Sequence, residues 1–65
     1  MNFLMSGKTA AAHAVARLAP RGFDAVHVTT EMLDEVLVIP GTHSPEAEGS
    51  IAKIVWRADP KAVQL

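Results

Sequence analysis

A chain of 65 residues has room for one domain, 1–65, and a core that small contributes little net stability, so tight packing or association must support it. With no cysteine it has neither disulfides nor thiolate metal sites, and an apolar share of 49% is too high for a disordered tail. The net charge of −1 hides a segregation: residues 1–22 carry Lys8, Arg17 and Arg21 and no acid, whereas residues 23–50 carry Asp24, Glu31, Asp34, Glu35, Glu46 and Glu48 and no Lys or Arg.

The first predicted element is a short strand, Asn2 to Met5. Ser6 then reads as the cap of a helix running to about Ala19, with Ala11, Ala14, Val15 and Leu18 at helical spacing on one face and Ala10, His13 and Arg17 opposite. Pro20 and Gly22 end it. Phe23 to Thr29, rich in Val and Thr, predicts a second strand. After a turn around Met32 to Glu35, Val36 to Ile39 predicts a third. Its residues are apolar on both pleat faces, as a central strand requires, and Pro40-Gly41 stops it.

"SPEAEGSIAKIVWRA" admits a strand or a helix. The helix is preferred. Ser44 suits an N-cap, Pro45 the first helical position, and Glu46 and Glu48 the positive end of the helix dipole. Ala47, Ile51, Ile54, Val55 and Ala58 then share a face. Asp59-Pro60 ends the helix, and Lys61 to Leu65 forms a last strand. The order strand, helix, strand, strand, helix, strand is the ferredoxin-like α+β pattern: a four-stranded antiparallel sheet, order 4-1-3-2, with both helices on one face. The uncovered face is then expected to expose Val or Leu side chains and to serve a homodimer or a docked partner.

No apolar run approaches membrane-spanning length, and no basic segment followed by an apolar one marks a secretory signal. The chain is therefore placed in the cytoplasm, with no membrane partner.

The run "SGKT" at Ser6 imitates a phosphate-binding loop, but the glycine required five positions before Gly7 is replaced by Asn2, and no loop separates strand from helix. An ordinary helix start is expected. His13, His27 and His43 lack ligand spacing, and no nucleophile is positioned by spacing. The chain is accordingly read as a non-enzymatic protein without metal or cofactor. Nucleic-acid binding by the sheet is disfavoured, because the strands lack basic residues and exposed aromatics. Glu31, Asp34 and Glu35 cluster at the hairpin between strands two and three, as a solvated turn or as a patch for a basic partner. Trp56 lies off the buried arc of its helix, as an interface anchor or as a cover for the helix flank against the last strand.

Together "ARLAPRGFDAVHV", "EVLVIPGTHSPEAEG" and "KAVQL" resemble the rhythm of SPOR domains, bacterial peptidoglycan-binding modules. The shared features are a helix ending in Gly-aromatic, a strand entering Pro-Gly, and a Ser-x-x-(Glu)-Ala helix start. The resemblance covers most of the chain and implies the same fold and, as an alternative function, glycan binding. In size and charge pattern the chain also resembles small phage-encoded inhibitors such as anti-CRISPR proteins. The expectation carried forward is a protein that binds, and inhibits or regulates, a larger protein or nucleoprotein complex through Glu31, Asp34, Glu35 and Trp56.

Overall fold

The computed structural model describes residues 1–65. Its elements are β1 (Asn2–Met5), α1 (Lys8–Leu18), a 3-10 turn (Ala19–Arg21), β2 (Val26–Thr29), β3 (Glu35–Val38), α2 (Pro45–Ala58) and β4 (Val63–Gln64). The fold is α+β. One four-stranded sheet runs in the order β2-β3-β1-β4, the anticipated order read from the opposite edge, and every pairing is antiparallel.

Register decides which side chains are inside. Phe3 pairs with Leu37 and Met5 with Glu35. These residues and Ile39 turn to one face, where Phe3, Met5, Leu37 and Ile39 join Ala11, Ala14 and Leu18 of α1, Ile51 and Val55 of α2 and Ala62 in a single core. Phe3, Leu18, Leu37, Ile39, Ile51 and Val55 are fully buried. Each removes enough apolar surface from water to contribute about 1.5–3 kcal/mol. The alanines of α1 supply little area, but they let the helix lie close to the sheet.

The helix ends follow local chemistry. Ser44 caps α2, its hydroxyl accepting from the Ala47 N–H at 3.1 Å, with Pro45 next and Glu46 and Glu48 in the first turn. The start of α1 departs from expectation. Gly7 is the N-cap and offers no side chain, because the Ser6 hydroxyl is bonded to Asp59 instead. Strand β2 begins at Val26 rather than Phe23, since the Phe23 N–H still closes the helix exit onto the Leu18 carbonyl at 3.2 Å. Gly22, at φ 83, makes that exit in the left-handed region that favours glycine. Strand β4 is confined to Val63–Gln64. Before it, Asp59 to Ala62 form a turn closed by the Ala62 N–H on the Asp59 carbonyl at 3.0 Å.

Candidate functional site

The face of the sheet away from the helices is aliphatic. Leu4 and Val36 pair across β1 and β3, Val28 and Val36 across β2 and β3, Val26 and Val38 likewise, and Leu4 and Val63 across β1 and β4. Strand alternation puts all of these on the side opposite Phe3 and Leu37. Val26, Val28 and Val63 are 53%, 43% and 54% exposed, and nothing in the chain covers them. The face bears no charged residue, and Asn2 is its only polar strand residue.

The β2–β3 hairpin extends beyond this face. Its turn is closed by the Thr30 N–H on the Asp34 carbonyl and the Leu33 N–H on the Thr30 carbonyl, both at 2.9 Å, and by the Asp34 N–H on the Thr30 hydroxyl at 3.1 Å. At the tip Met32 and Leu33 are 84% and 79% exposed, the most exposed large apolar residues of the chain. Leu33 has φ 64, the only positive φ outside glycine. That conformation costs a leucine about 1–2 kcal/mol. Glu31 and Asp34 flank the pair and are exposed. The tip thus presents two apolar side chains between two carboxylates, in a conformation that Gly or Asn would adopt more cheaply.

The expected acidic triplet is divided. Glu35 is buried and turns to the core side, because the pleat that points Leu37 and Ile39 inward points Glu35 inward as well. Its Oε2 accepts from the Thr29 hydroxyl at 2.7 Å and lies 2.5 Å from His27 Nε2. The Thr29 hydroxyl, then the His27 ring and a smaller attraction from Lys8, hold the Glu35 carboxyl below the usual range against the opposing effect of burial. A general base works best with a pKa near ambient pH, so a depressed carboxylate tied to two neighbours fits a structural cross-strand clasp better than proton transfer. Glu35 is therefore removed from the surface patch.

Trp56 is placed against β1 and the segment leading into β4. Its ring meets Phe3 edge-on, centroids 5.9 Å apart, and its Nε1–H donates to the Ala62 carbonyl at 2.7 Å. It is 40% exposed and lies apart from the hairpin tip. The Nε1–H and part of the ring thus cover the helix flank, and the rest of the ring stays exposed.

The remaining candidates do not converge. No three His, Asp or Glu side chains are grouped to hold a metal ion. His13 is exposed on α1, and His43 Nε2 lies 3.1 Å from the Pro40 carbonyl with its ring against Phe23. Gly7-Lys8-Thr9 passes from strand into helix with only Ser6 and Gly7 between, leaving no loop to wrap a phosphate. No helix is long and apolar enough to cross a membrane.

The exposure of Met32 and Leu33 was not expected from the sequence. Their signal lay in the turn sequence itself, which has two large apolar residues and no Gly, Pro or Asn. Comparison of the chain with protein families, curated proteins and solved structures finds no match.

Proposed function

We propose that the protein is a small interaction domain of ferredoxin-like arrangement. It binds a larger protein through the uncovered sheet face and the Glu31–Asp34 hairpin tip, and so inhibits or regulates it. One observation carries this reading: of the seven large apolar side chains left exposed, five (Val26, Val28, Val63, Met32 and Leu33) lie on the open face of the sheet and on the hairpin that extends from it. Exposed apolar patches of this kind mark interaction surfaces. Glu31 and Asp34 at the rim supply steering and register toward a basic surface rather than the bulk of the affinity. A surface that normally meets nucleic acid is a fitting target, in keeping with the inhibitor class that size and charge pattern bring to mind. The peptidoglycan-binding reading is second, because an aliphatic face with Asn2 as its one polar strand residue offers a glycan few hydrogen-bond partners.

The test is quantitative capture from host-cell lysate with three baits: the wild type, a Met32→Ser/Leu33→Gly variant, and a Val26→Thr/Val28→Thr variant. A protein retained by the first and lost from both variants supports the reading. Retention on isolated peptidoglycan sacculi, unaffected by the variants, supports the alternative.

A further inference from the structure

The helix side of the molecule carries a second surface of opposite character. Arg17, Arg21 and Arg57 line an open cleft of about 400 Å³ between the end of α1 and α2, together with Ala16, Pro20 and Ile54. Arg21 and Arg57 also line the adjoining cleft with Lys53 and Ser50. Four of the chain's six Lys and Arg residues therefore gather in one place, in a protein whose net charge is −1. No carboxylate lines either cleft. The only ion pair in the structure is His27 with Glu35, so all four cations lack an acidic partner.

Their spacing sharpens the point. Lys53 and Arg57 are four residues apart on α2, and Arg17 and Arg21 are four apart along α1 and its 3-10 extension. Like charges at that interval face each other and repel. The positions three and four residues before Lys53 and Arg57, where an acid would relieve the repulsion, hold Ser50, Gly49, Ile54 and Lys53. The negative ends of the helix dipoles favour Arg17, Arg21 and Arg57 one by one, but nothing in the chain relieves their mutual repulsion, which a bound polyanion would neutralise.

We propose that this double cleft binds the phosphodiester backbone of a nucleic acid, without sequence preference. Three of the four cations are arginines, whose planar forks match phosphate oxygens two at a time. No aromatic ring lines the clefts to stack on a base, so backbone contact is the available mode. A lipid surface fits less well, since membrane-lying helices need large apolar side chains beside their cations. Here the apolar lining is only Ala16, Pro20 and Ile54, and the exposed Val, Met and Leu side chains lie on the open sheet face, the hairpin tip and the C-terminus. Trp56, the one exposed large apolar residue on α2, is outside the lining and is held toward the sheet by Phe3 and the Ala62 carbonyl. Arginine clusters also take acidic or phosphorylated peptide motifs, but four cations spread over two adjoining clefts match the evenly repeated charges of a phosphodiester chain, and polyglutamate serves as the competing probe. This inference stands independently of the sheet-face reading. It departs from the expectation of no nucleic-acid partner, which considered only the strands.

The experiment is fluorescence anisotropy of the full chain with labelled single-stranded DNA, single-stranded RNA and duplex oligonucleotides across a salt series. Binding is expected at low salt. Four phosphate contacts give a slope of log affinity against log salt of about −3 for single strands, and releasing two of them flattens it by about 1.4. Arg17→Ala/Arg57→Ala should weaken binding at least about ten-fold. Lys8→Ala and Lys61→Ala, cations outside the clefts, should leave it unchanged. The proposal is overturned if no oligonucleotide binds at low salt, if the double variant with an unchanged melt binds as wild type does, or if polyglutamate or anionic lipid vesicles bind and oligonucleotides do not.

Discussion

Ser6 and Asp59 are joined twice across 53 residues: the Asp59 carboxylate accepts from the Ser6 N–H at 2.7 Å and from the Ser6 hydroxyl at 2.9 Å. A third bond, from the Lys61 N–H at 3.1 Å, completes the set. One carboxylate, 3% exposed, thereby fixes the exit of β1, the end of α2 and the turn into β4. Removing it strands donors that are costly to leave unmade, so Asp59→Ala should cost about 2–3 kcal/mol. In a domain of this size that lowers the melting temperature by more than about 8 °C. Ser6→Ala, which leaves the backbone donor in place, should cost less. Thermal melts of the two variants check this order.

Acid should weaken the fold through two carboxylates. Burial alone would raise Asp59, but the bonds from Ser6 and Lys61 outweigh it and leave its carboxyl below the usual range. Glu35 is lowered as well. A group whose pKa is depressed by folding adds stability above its unfolded pKa and loses it as pH falls through the folded value. Stability should therefore be level from neutrality down to about pH 5 and decline below about pH 4, where carboxylates ordinarily titrate. Denaturant melts across that range test the window, and Glu35→Gln combined with Asp59→Asn should flatten the acid limb.

Trp56→Phe keeps the contact with Phe3 and loses the bond to the Ala62 carbonyl, an expected cost of about 1 kcal/mol. Trp56→Ala also opens the flank of the sheet and should cost about 2–3 kcal/mol. Neither should alter partner affinity once corrected for folding. A loss of partner binding at unchanged stability would return Trp56 to the interface.

The hairpin tip separates stability from binding. Leu33→Gly relieves a left-handed leucine and should raise stability by about 0.5–1 kcal/mol while weakening the partner contact. Glu31→Lys/Asp34→Lys should change stability by no more than about 0.5 kcal/mol and slow association, most clearly at low salt. Calorimetry or melts beside binding kinetics distinguish these effects.

The order of elements was legible because each carries its own period and punctuation. Val36 to Ile39 is apolar on both faces and is indeed central, and Ser44, Pro45, Glu46 and Glu48 mark a helix start that the structure reproduces. Local sequence does not reveal partnerships between residues distant in the chain or facing one another across strands. Nothing near Ser6 announces Asp59, so by sequence its hydroxyl reads as the cap of the helix it precedes. The inward turn of Glu35 was readable from Leu37 and Ile39 by alternation, but its charge placed it with the turn. The clustering of Arg17 and Arg21 with Lys53 and Arg57 depends on how α1 meets α2, which no local pattern records.

An aliphatic face without charge should also pair weakly with its own copy. Sedimentation velocity should show self-association that grows with concentration in the wild type and is reduced by Val26→Thr/Val28→Thr, a change that keeps strand propensity while adding hydroxyls.

The most direct measurement is the affinity of a purified captured partner for the wild type and for the Val26→Thr/Val28→Thr variant, by calorimetry, with both proteins shown to melt alike. The sheet-face account predicts binding at least about ten-fold weaker in the variant, a loss of about 1.4 kcal/mol. Equal affinity of the two proteins for that partner would contradict it.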